Sequence, residues 1–398
     1  MGRPEPPNPG SVVVGCGVIG EVHANALAEL ARRGQGQGRL IGVVDVDPAR
    51  ARDFGRRWGV PESASLDEAL SWPDARIVHV CTPSGLHAEV GMQAARAGAH
   101  VLVEKPIDVT LERADLLIQT CRDAGVTLGV VSQHRFDPGF QELEAMAQQG
   151  SLGRLTLGEA RIKWYRSQDY YASASWRGTR ELDGGGALIN QSIHYVDLLL
   201  ALCGPVAGVS AYTATAAHDL EVEDIAAAVL RFTSGATGTI LGSTAVFPGF
   251  PERLEISGSD GSAILEDGAL TYVATRAMLG DIGSHGNPGA GRRAPPTHAP
   301  APHEPPYGGR HTDQIADFID AVSTGRPPVT TAEAGRASLA VVLAVYRAAA
   351  THREVALDDT GPALTPDPCG LVSLRCASTA QPALPYAGEG EPQRRSHR

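Results

Sequence analysis

The chain has 398 residues, of which 42% are hydrophobic and 20% charged, and its formal net charge is -11. That length predicts two or three domains with substantial cores. The negative charge argues against nucleic acid or an anionic membrane as a partner, and no apolar run is long enough to span a bilayer. Six scattered cysteines without Cys-x-x-Cys spacing favour a reduced, cytoplasmic protein.

The N-terminal segment combines a proline-rich lead with a glycine-rich turn. Residues 1–10 lack the apolar stretch of a secretory signal, and we expect them to be a disordered lead. An apolar strand follows at 11–14, and a helix comes after the sequence GCGVIG. Such a turn between strand and helix is typical of dinucleotide-binding domains, because it brings the backbone and a helix N-terminus close to a pyrophosphate.

Each glycine of this turn has a predicted role. Gly15 permits the tight turn, Gly17 lets the backbone approach the pyrophosphate, and Gly20 allows the helix to pack closely on the strand. Val18 and Ile19 lie between them at the start of the helix. We predict that these five residues contact a dinucleotide cofactor.

An acidic residue indicates which dinucleotide is bound. Asp45 ends the second strand, where a carboxylate accepts hydrogen bonds from ribose hydroxyls and repels a 2′-phosphate. The sequence therefore favours NAD over NADP. Asp47 could share this role, while the nearby Arg50 and Arg52 keep NADP open. The other interpretation is that both acids are solvated turn residues.

Strands and helices alternate over the first third of the chain. Helical patterns at 48–58, 85–97 and 110–123 are separated by apolar strands. This alternation predicts a parallel, doubly wound sheet that binds ligands at the carboxyl ends of its strands. We assign residues 11–135 to this dinucleotide-binding Rossmann domain.

The ends of two predicted strands carry residues suited to a cofactor cleft. In chain order these are Thr82, Pro83, His87, Glu104 and Lys105. We predict that all five border the cofactor. A partly desolvated lysine is suited to carry a proton or to stabilise negative charge, whereas an ion pair with Glu104 is the structural alternative.

A leucine-rich helix after three glycines carries two polar groups. In GGGALINQSIHYVDLLL, Asn190 and His194 are four positions apart, so a helix places them on one face. His194 is suited to take a hydroxyl proton near neutral pH, and the alternative is a core histidine bonded to a backbone carbonyl. Asp197 either orients His194 or ties the helix down.

Four motifs together carry a family resemblance over residues 11–357: GCGVIG, CTPSGLH, VLVEKP and GGGALINQSIHYVD. They resemble the Gfo/Idh/MocA family of nicotinamide-dependent oxidoreductases, which includes inositol and sugar dehydrogenases. The resemblance implies that Lys105 and His194 are catalytic and flank the substrate hydroxyl beside the nicotinamide, with Asn190 completing the set. Many dehydrogenases of the family have aspartate at the last position, and an amide can orient substrate but cannot act as a base.

The second half of the chain changes its pattern. Six strand-like runs, the last at 262–274, are separated by glycine, serine and aspartate turns. They predict an α+β domain over 136–357 with an open, mostly antiparallel sheet. The resemblance implies that one sheet face covers the cleft and that the other contacts further copies of the chain, in a homodimer or homotetramer.

An aromatic and basic loop precedes the three glycines. The loop could close over the cofactor, or it could hold a polar, carboxylate-bearing or phosphorylated substrate through Arg177 or Arg180. Trp176 with Arg177 resembles a family pair near the cleft. Arg135, at the end of the sixth strand, is a further candidate substrate-binding cation. Ordinary loop packing is the alternative for the aromatic residues.

Two segments say little about function. Residues 281–309 are rich in glycine and proline, and we expect a flexible loop whose histidines lack metal-binding spacing. Residues 358–398 have the composition of a disordered tail. We predict no metal site.

The sequence thus predicts an NAD-dependent oxidoreductase that transfers hydride between the nicotinamide and a secondary alcohol or ketone of a sugar, cyclitol or sugar derivative. One alternative is a redox-cycling glycoside hydrolase of the same fold, which would retain NAD and release a sugar. The other is a non-catalytic nucleotide or ligand sensor, which would not need Lys105 and His194 together.

Overall fold

The computed structural model describes residues 9–34, 38–286 and 309–357, and within these ranges the strands form two sheets. The predictions of a disordered lead, a flexible loop and a disordered tail concern mainly residues 1–8, 287–308 and 358–398, which lie outside the described residues. No described helix has the length and apolar composition needed to cross a membrane.

The first sheet is parallel, with the strand order β3-β2-β1-β4-β5-β6. Its strands are β1 (Gly10–Val14), β2 (Arg39–Val44), β3 (Glu62–Ser63), β4 (Ala75–Val80), β5 (His100–Val103) and β6 (Leu128–Val130). The connecting helices are α1 (Val18–Arg32), α2 (Pro48–Trp58), α3 (Leu66–Leu70), α4 (His87–Arg96) and α5 (Leu111–Ala124). The predicted doubly wound Rossmann sheet is confirmed.

The apolar strands of this sheet follow from burial on both faces. Val12 and Val13 are adjacent in β1 and point to opposite faces, yet both are completely buried. The strand order reverses beside β1, since β2 lies on one side of it and β4 on the other. Ligands of such sheets bind at this reversal, outside the carboxyl ends of the strands.

The second sheet is mixed and mostly antiparallel, as expected, with the order β13-β12-β11-β7-β10-β9-β8-β14. Its strands are β7 (Leu155–Lys163), β8 (Val206–Ala214), β9 (Ile225–Phe232), β10 (Thr237–Ser243), β11 (Arg253–Gly258), β12 (Gly261–Glu266), β13 (Ala269–Thr275) and β14 (Val355–Ala356). Among these strands β7 and β10 pair in parallel. The run at 262–274 forms two strands, because Asp267 and Gly268 adopt positive φ and reverse the chain.

The remaining helices cover the second sheet and return to the first. They are α6 (Pro138–Gln148), α7 (Gln168–Ala172), α8 (Ile193–Cys203), α9 (Arg276–Leu279), α10 (Gly309–Thr324) and α11 (Ala332–Thr351). α8 packs on β7 and α11 on β8, whereas α10 packs on α1. The segment before α8, Ala187–Ser192, is a π-helical turn, so the predicted apolar helix begins irregularly.

Candidate active site

The glycine turn joins β1 to α1 at the carboxyl edge of the parallel sheet. Gly15 has a φ of +101°, and a Cβ there would lie 2.5 Å from the carbonyl oxygen of Cys81. A Cβ on Gly20 would lie 2.0 Å from the carbonyl oxygen of Gly15. Both positions require glycine, so that turn, helix and neighbouring strand can approach closely.

The N-terminus of α1 is open. Gly17 is its N-cap, no side chain caps the helix, and a Cβ on Gly17 would meet no atom within 4 Å. Val18 is 68% exposed although it is apolar, while Ile19 packs partly on the core. Nearby, Thr82 Oγ1 is buried without a hydrogen-bond partner among the described residues. An uncapped helix N-terminus, an exposed apolar side chain and a free hydroxyl fit a bound dinucleotide.

Asp45 lies buried at the carboxyl end of β2 and is fixed beside the glycine turn. Its two oxygens accept hydrogen bonds of 2.9 Å from the backbone N–H groups of Cys16 and Asp47. Acceptor capacity remains for ribose hydroxyls, because a carboxylate offers about four lone-pair sites. Asp47 differs, since its carboxylate caps α2 by accepting from the N–H groups of Ala49 and Arg50.

His87 ties together the loops that follow β4 and β5. Its Nδ1 lies 2.7 Å from the carbonyl oxygen of Pro106, and its Nε2 lies 2.9 Å from that of Thr82. Pro83 precedes the short 3-10 turn at Ser84–Leu86 that leads into α4. The buried ring therefore holds both loops at the edge where the cofactor is expected.

Glu104 is buried in a cluster with three histidines. Its Oε1 lies 2.9 Å from His23 Nε2 and 3.5 Å from His311 Nε2, and the two Nδ1 atoms of His23 and His79 are 2.9 Å apart. Burial favours the neutral acid, but the hydrogen bonds of His23 and His311 outweigh it and hold the pKa of Glu104 well below its ordinary value. Hydrogen bonding within the cluster accounts for its close spacing, and Glu104 supports the backbone of Lys105 through a 3.2 Å bond.

Lys105 reaches from the end of β5 to the π-helical turn at Ala187–Ser192. Its Nζ donates a 2.8 Å hydrogen bond to the backbone carbonyl oxygen of Asn190. Burial lowers the pKa of Lys105, although the carboxylates of Glu104 and Asp183 oppose that effect. π-Helical turns interrupt the regular hydrogen-bond pattern and are frequent at functional sites, and here the lysine uses a carbonyl of that turn.

A buried carboxylate that no sequence motif indicates holds the side chain of Asn190. Asp183 Oδ1 accepts a hydrogen bond from Asn190 Nδ2, and Asp183 Oδ2 accepts one of 2.8 Å from the N–H of Gly178. Burial raises the pKa of Asp183. The site thus contains a carboxylate beside position 190, although position 190 itself is an amide.

His194 lies in the first turn of α8, and the structure brings it together with Lys105. Both line one cavity of about 20 Å³, room for about one water molecule. His194 Nδ1 is buried and has no hydrogen-bond partner among the described residues, unlike a core histidine bonded to a carbonyl. Burial and the charge of Lys105 hold the pKa of His194 well below its ordinary value, so the imidazole is neutral at pH 7. The ring of His134 packs edge-on against it, with centroids 5.2 Å apart.

Asp197 ties α8 down and does not contact His194 through any described hydrogen bond. Its carboxylate accepts bonds from Arg135 Nε at 2.6 Å and Nη2 at 2.8 Å, and from Ser132 Oγ at 2.5 Å. Ser338 of α11 adds a 3.3 Å bond. The guanidinium of Arg135 is therefore engaged in a structural ion pair, which differs from its predicted role as a substrate-binding cation.

Arg177 is stacked in the aromatic loop beside the cleft. Its Cζ lies 4.5 Å from the ring centroid of Tyr170 and 4.6 Å from that of Trp176. Arg177 Nη1 donates a 2.7 Å bond to Tyr170 Oη, which also accepts a 3.0 Å bond from Gln191 Nε2. The loop therefore connects with the π-helical turn that holds Lys105.

Fold and site together define a class of protein, an oxidoreductase built on a Rossmann domain that binds NAD. A family model described as "Oxidoreductase family, NAD-binding Rossmann fold" matches residues 10–132. A second, described as "GFO/IDH/MocA C-terminal domain", matches residues 140–264. The chain belongs to the Gfo/Idh/MocA family of oxidoreductases.

Individual relatives match over most of their length. The inositol 2-dehydrogenase of Rhizobium meliloti is 28% identical over 354 residues, which cover 87% of this chain and 98% of the relative. The myo-inositol 2-dehydrogenase of Thermotoga maritima is 27% identical over 358 residues, with the same coverage. The WlbA dehydrogenase of Bordetella pertussis, solved in complex with NADH and UDP-GlcNAcA, is 31% identical with a TM-score of 0.74, covering 88% of this chain and 98% of that one.

Proposed function

We propose that the protein oxidises a secondary alcohol of a sugar, cyclitol or sugar derivative, or reduces the matching ketone, with NAD as its redox partner. The names of the two inositol dehydrogenases and the ligand of the WlbA dehydrogenase support this substrate class. The observation that carries the proposal is that Lys105, at the carboxyl edge of the parallel sheet, bonds the carbonyl oxygen of Asn190 at 2.8 Å, four residues before His194 in the same segment.

Each site residue has a separate role in the proposed reaction. Bound NAD supplies the acceptor for the hydride that leaves the substrate carbon. Lys105, positioned by the carbonyl of Asn190, donates a hydrogen bond to the substrate oxygen and stabilises the negative charge that develops there. His194, neutral at pH 7, accepts the hydroxyl proton. The amide of Asn190, fixed by Asp183, orients the substrate.

The cofactor cradle of the proposal consists of backbone and short side chains. The amides at the start of α1, between Gly17 and Gly20, receive the phosphates, and Asp45 receives the ribose. Thr82 offers its free hydroxyl from the neighbouring strand end. His87 acts indirectly by holding that strand end in place.

A substrate screen tests the proposed reaction. The purified full chain is incubated with NAD and inositols, neutral and acidic sugars or sugar nucleotides, and NADH absorbance is followed. Lys105→Ala and His194→Ala should each lower kcat about 10²- to 10⁴-fold with the fold retained, because the first removes the stabilisation of the developing charge and the second removes the proton acceptor. The exposed His352 provides the control substitution His352→Ala, which should leave kcat unchanged.

Other outcomes of the screen would replace the proposal. Release of a sugar by a protein that retains NAD and forms no net NADH would identify a glycoside hydrolase. Wild-type turnover in Lys105→Ala or His194→Ala would remove that residue from the mechanism. Ligand binding without turnover of any substrate would favour a sensor.

We infer further that the outer face of the second sheet joins copies of the chain in a homodimer or homotetramer. Leu157, Tyr212 and Val229, on β7, β8 and β9, are large apolar side chains exposed on this sheet. Apolar side chains grouped on one sheet face favour a protein partner. Light scattering of the wild type should give a mass of two or four chains, and Tyr212→Glu should reduce it, whereas a monomeric wild type would refute the inference.

We place the enzyme in the cytoplasm. Cys16, Cys81, Cys121 and Cys203 are free and buried in the described residues, which suits a reducing compartment. Fractionation of cells that produce the tagged protein tests this assignment, and recovery from an oxidising compartment would contradict it.

A further inference from the structure

Two arginines near Lys105 have no acidic partner among the described residues. Arg166 and Arg177 are both half-buried, and the charges of both lower the pKa of Lys105. No described carboxylate lies within ion-pair distance of either guanidinium. By contrast Arg135 is paired with Asp197.

The hydrogen bonds of these arginines leave part of each guanidinium unused. Arg166 Nη1 donates 3.1 Å to the carbonyl oxygen of Tyr165, and Arg177 Nη1 donates 2.7 Å to Tyr170 Oη. The Nε atom of each arginine is buried and has no partner among the described residues. Buried charged donors are costly to leave unpaired, which indicates that a ligand completes them.

Aromatic rings hold both guanidinium groups in place. The Cζ atoms of Arg166 and Arg177 lie 5.3 Å and 4.5 Å from the ring centroid of Tyr170. Arg166 also lies 5.0 Å from the ring of Trp164, and Arg177 lies 4.6 Å from that of Trp176. Stacking fixes the planes of the guanidinium groups without neutralising their charge, so the pair is preorganised for an anion.

The pair is linked directly to the catalytic segment. Tyr170 Oη accepts hydrogen bonds from Arg177 and from Gln191, and Gln191 Nε2 donates to Asn190 Oδ1 at 3.3 Å. Asn190 in turn accepts from Lys105 through its backbone. The arginines are therefore connected by hydrogen bonds to the segment that holds Lys105.

The charge of this region also needs compensation. Lys105, Arg166 and Arg177 contribute three positive charges, which are opposed by the carboxylates of Glu104 and Asp183, and burial raises the pKa of Asp183. An uncharged polyol would leave the excess of positive charge in place. A substrate with a negative charge would neutralise it in a partly desolvated site, where such interactions are strong.

We propose that Arg166 and Arg177 bind an oxyanion carried by the sugar substrate, a carboxylate or a phosphate group, through bidentate charge-assisted hydrogen bonds. The proposal rests on the proposed function for the identity of the sugar as substrate. It makes the loop at 164–177 the determinant that selects acidic sugars over neutral ones.

Binding to the NAD-loaded full chain tests the proposal without turnover. Calorimetry compares glucose with three anionic probes: glucuronate, glucose 6-phosphate and UDP-glucose. At least one anionic probe should bind about 10- to 100-fold more tightly than glucose, because charge-assisted hydrogen bonds are added. The probe with the largest gain identifies the carboxylate, phosphate or diphosphate as the preferred group. Anionic probes that bind no more tightly than glucose overturn the proposal.

Substitutions locate the binding site of the anion. Arg166→Gln and Arg177→Gln should each remove most of the anionic advantage and leave glucose binding unchanged. The control is Arg276→Gln, which removes a charge from an exposed arginine paired with Asp260. Equal losses for glucose and the anionic probe would instead indicate a damaged loop and overturn the proposal. Because the readout is binding, a lack of turnover with all sugars refutes the proposed function separately.

Discussion

Asp45 is the residue on which the choice of cofactor depends. Asp45→Ala removes the acceptor for the ribose hydroxyls and the repulsion of a 2′-phosphate. We expect the dissociation constant of NAD to rise about 10- to 100-fold, since hydrogen bonds to a charged group are lost. The preference of the protein for NAD over NADP should decrease as well. Calorimetry with both dinucleotides measures the two constants.

The control for this experiment separates recognition from loop structure. Asp45 also holds the backbone of Cys16 and Asp47, so its loss perturbs the turn. Asp47→Ala removes the cap of α2 but leaves Asp45 in place, and should weaken NAD and NADP binding equally and slightly. An unchanged ratio of NADP to NAD affinity in Asp45→Ala would show that the carboxylate does not select the cofactor.

His194 should titrate below its ordinary pKa of 6.5, because burial and the charge of Lys105 disfavour the imidazolium. Activity that needs neutral His194 should therefore decline only when the pH falls below 6.5. Measuring kcat/KM from pH 4 to pH 8 gives this acidic side of the pH–rate profile. In Lys105→Met the like charge is gone, so the pKa of His194 should rise. NMR titration of the histidines detects that rise without activity, and an unchanged pKa would show that the two groups are uncoupled.

At the scale of elements, the π-helical turn before α8 depends on a distant carboxyl group. Glu223 is 2% exposed and accepts hydrogen bonds from the N–H groups of Gly186 at 2.9 Å and Leu188 at 2.8 Å. Tyr346 Oη donates to the same carboxyl group at 2.9 Å. Burial raises the pKa of Glu223 to about 7, so the group that orders the turn titrates near neutrality.

This pKa predicts a pH-dependent difference between the wild type and Glu223→Gln. The carboxyl group has a higher pKa folded than unfolded, so its contribution is fully present below pH 4.5 and is lost as the pH rises through 7. The amide does not titrate, although it should cost about 1–3 kcal/mol at low pH because one acceptor is lost. Urea unfolding should show the wild-type advantage shrinking by about 2–3 kcal/mol between pH 5 and pH 8. A difference that stays constant with pH would contradict the raised pKa.

The elements that could be predicted are those with local signals. The sequence pattern predicts α2 at 48–58, and the helix runs from Pro48 to Trp58, because a capping aspartate precedes it and Gly59, with a φ of +65°, ends it. The π-helical turn has no such signal. Its start is ordered by Glu223 and Tyr346, which are remote in sequence, so only the folded chain reveals it.

Some residues of the candidate site could likewise be predicted from the sequence, and others could not. Lys105 and His194 could be proposed from their motifs, and the structure brings them together. Asp183 was missed because its importance comes from contacts with Asn190 and Gly178 and not from any spacing. Arg166 was missed because its place beside Tyr170 depends on how the loop folds after β7. Their roles stay predictions until the substitutions above are measured.

At the scale of the whole molecule, a helix from the far end of the chain completes one hydrophobic core of the Rossmann domain. α10 contributes Phe318 to the cluster that contains Leu27, Leu30 and Leu102 of the Rossmann layers. A Cβ on Gly129 of β6 would lie 2.8 Å from the Phe318 ring, so the helix packs directly on the edge strand. The dinucleotide-binding part thus depends on residues about 180 positions beyond the end of its family match at 132.

This dependence predicts a large effect of Phe318→Ala on the free energy of unfolding. Phe318 is 1% exposed, and truncating such a ring leaves a cavity between α10 and the sheet, which should cost about 3–5 kcal/mol in urea unfolding. Leu116→Ala on α5 is the control, because Leu116 is 57% exposed and should change stability by no more than about 0.5 kcal/mol. NAD at saturation should stabilise both variants, since it binds the folded state alone. A loss of less than about 1 kcal/mol in the free energy of unfolding of Phe318→Ala would mean that α10 packs on this core without stabilising it. Residues 11–135 would then fold independently of α10.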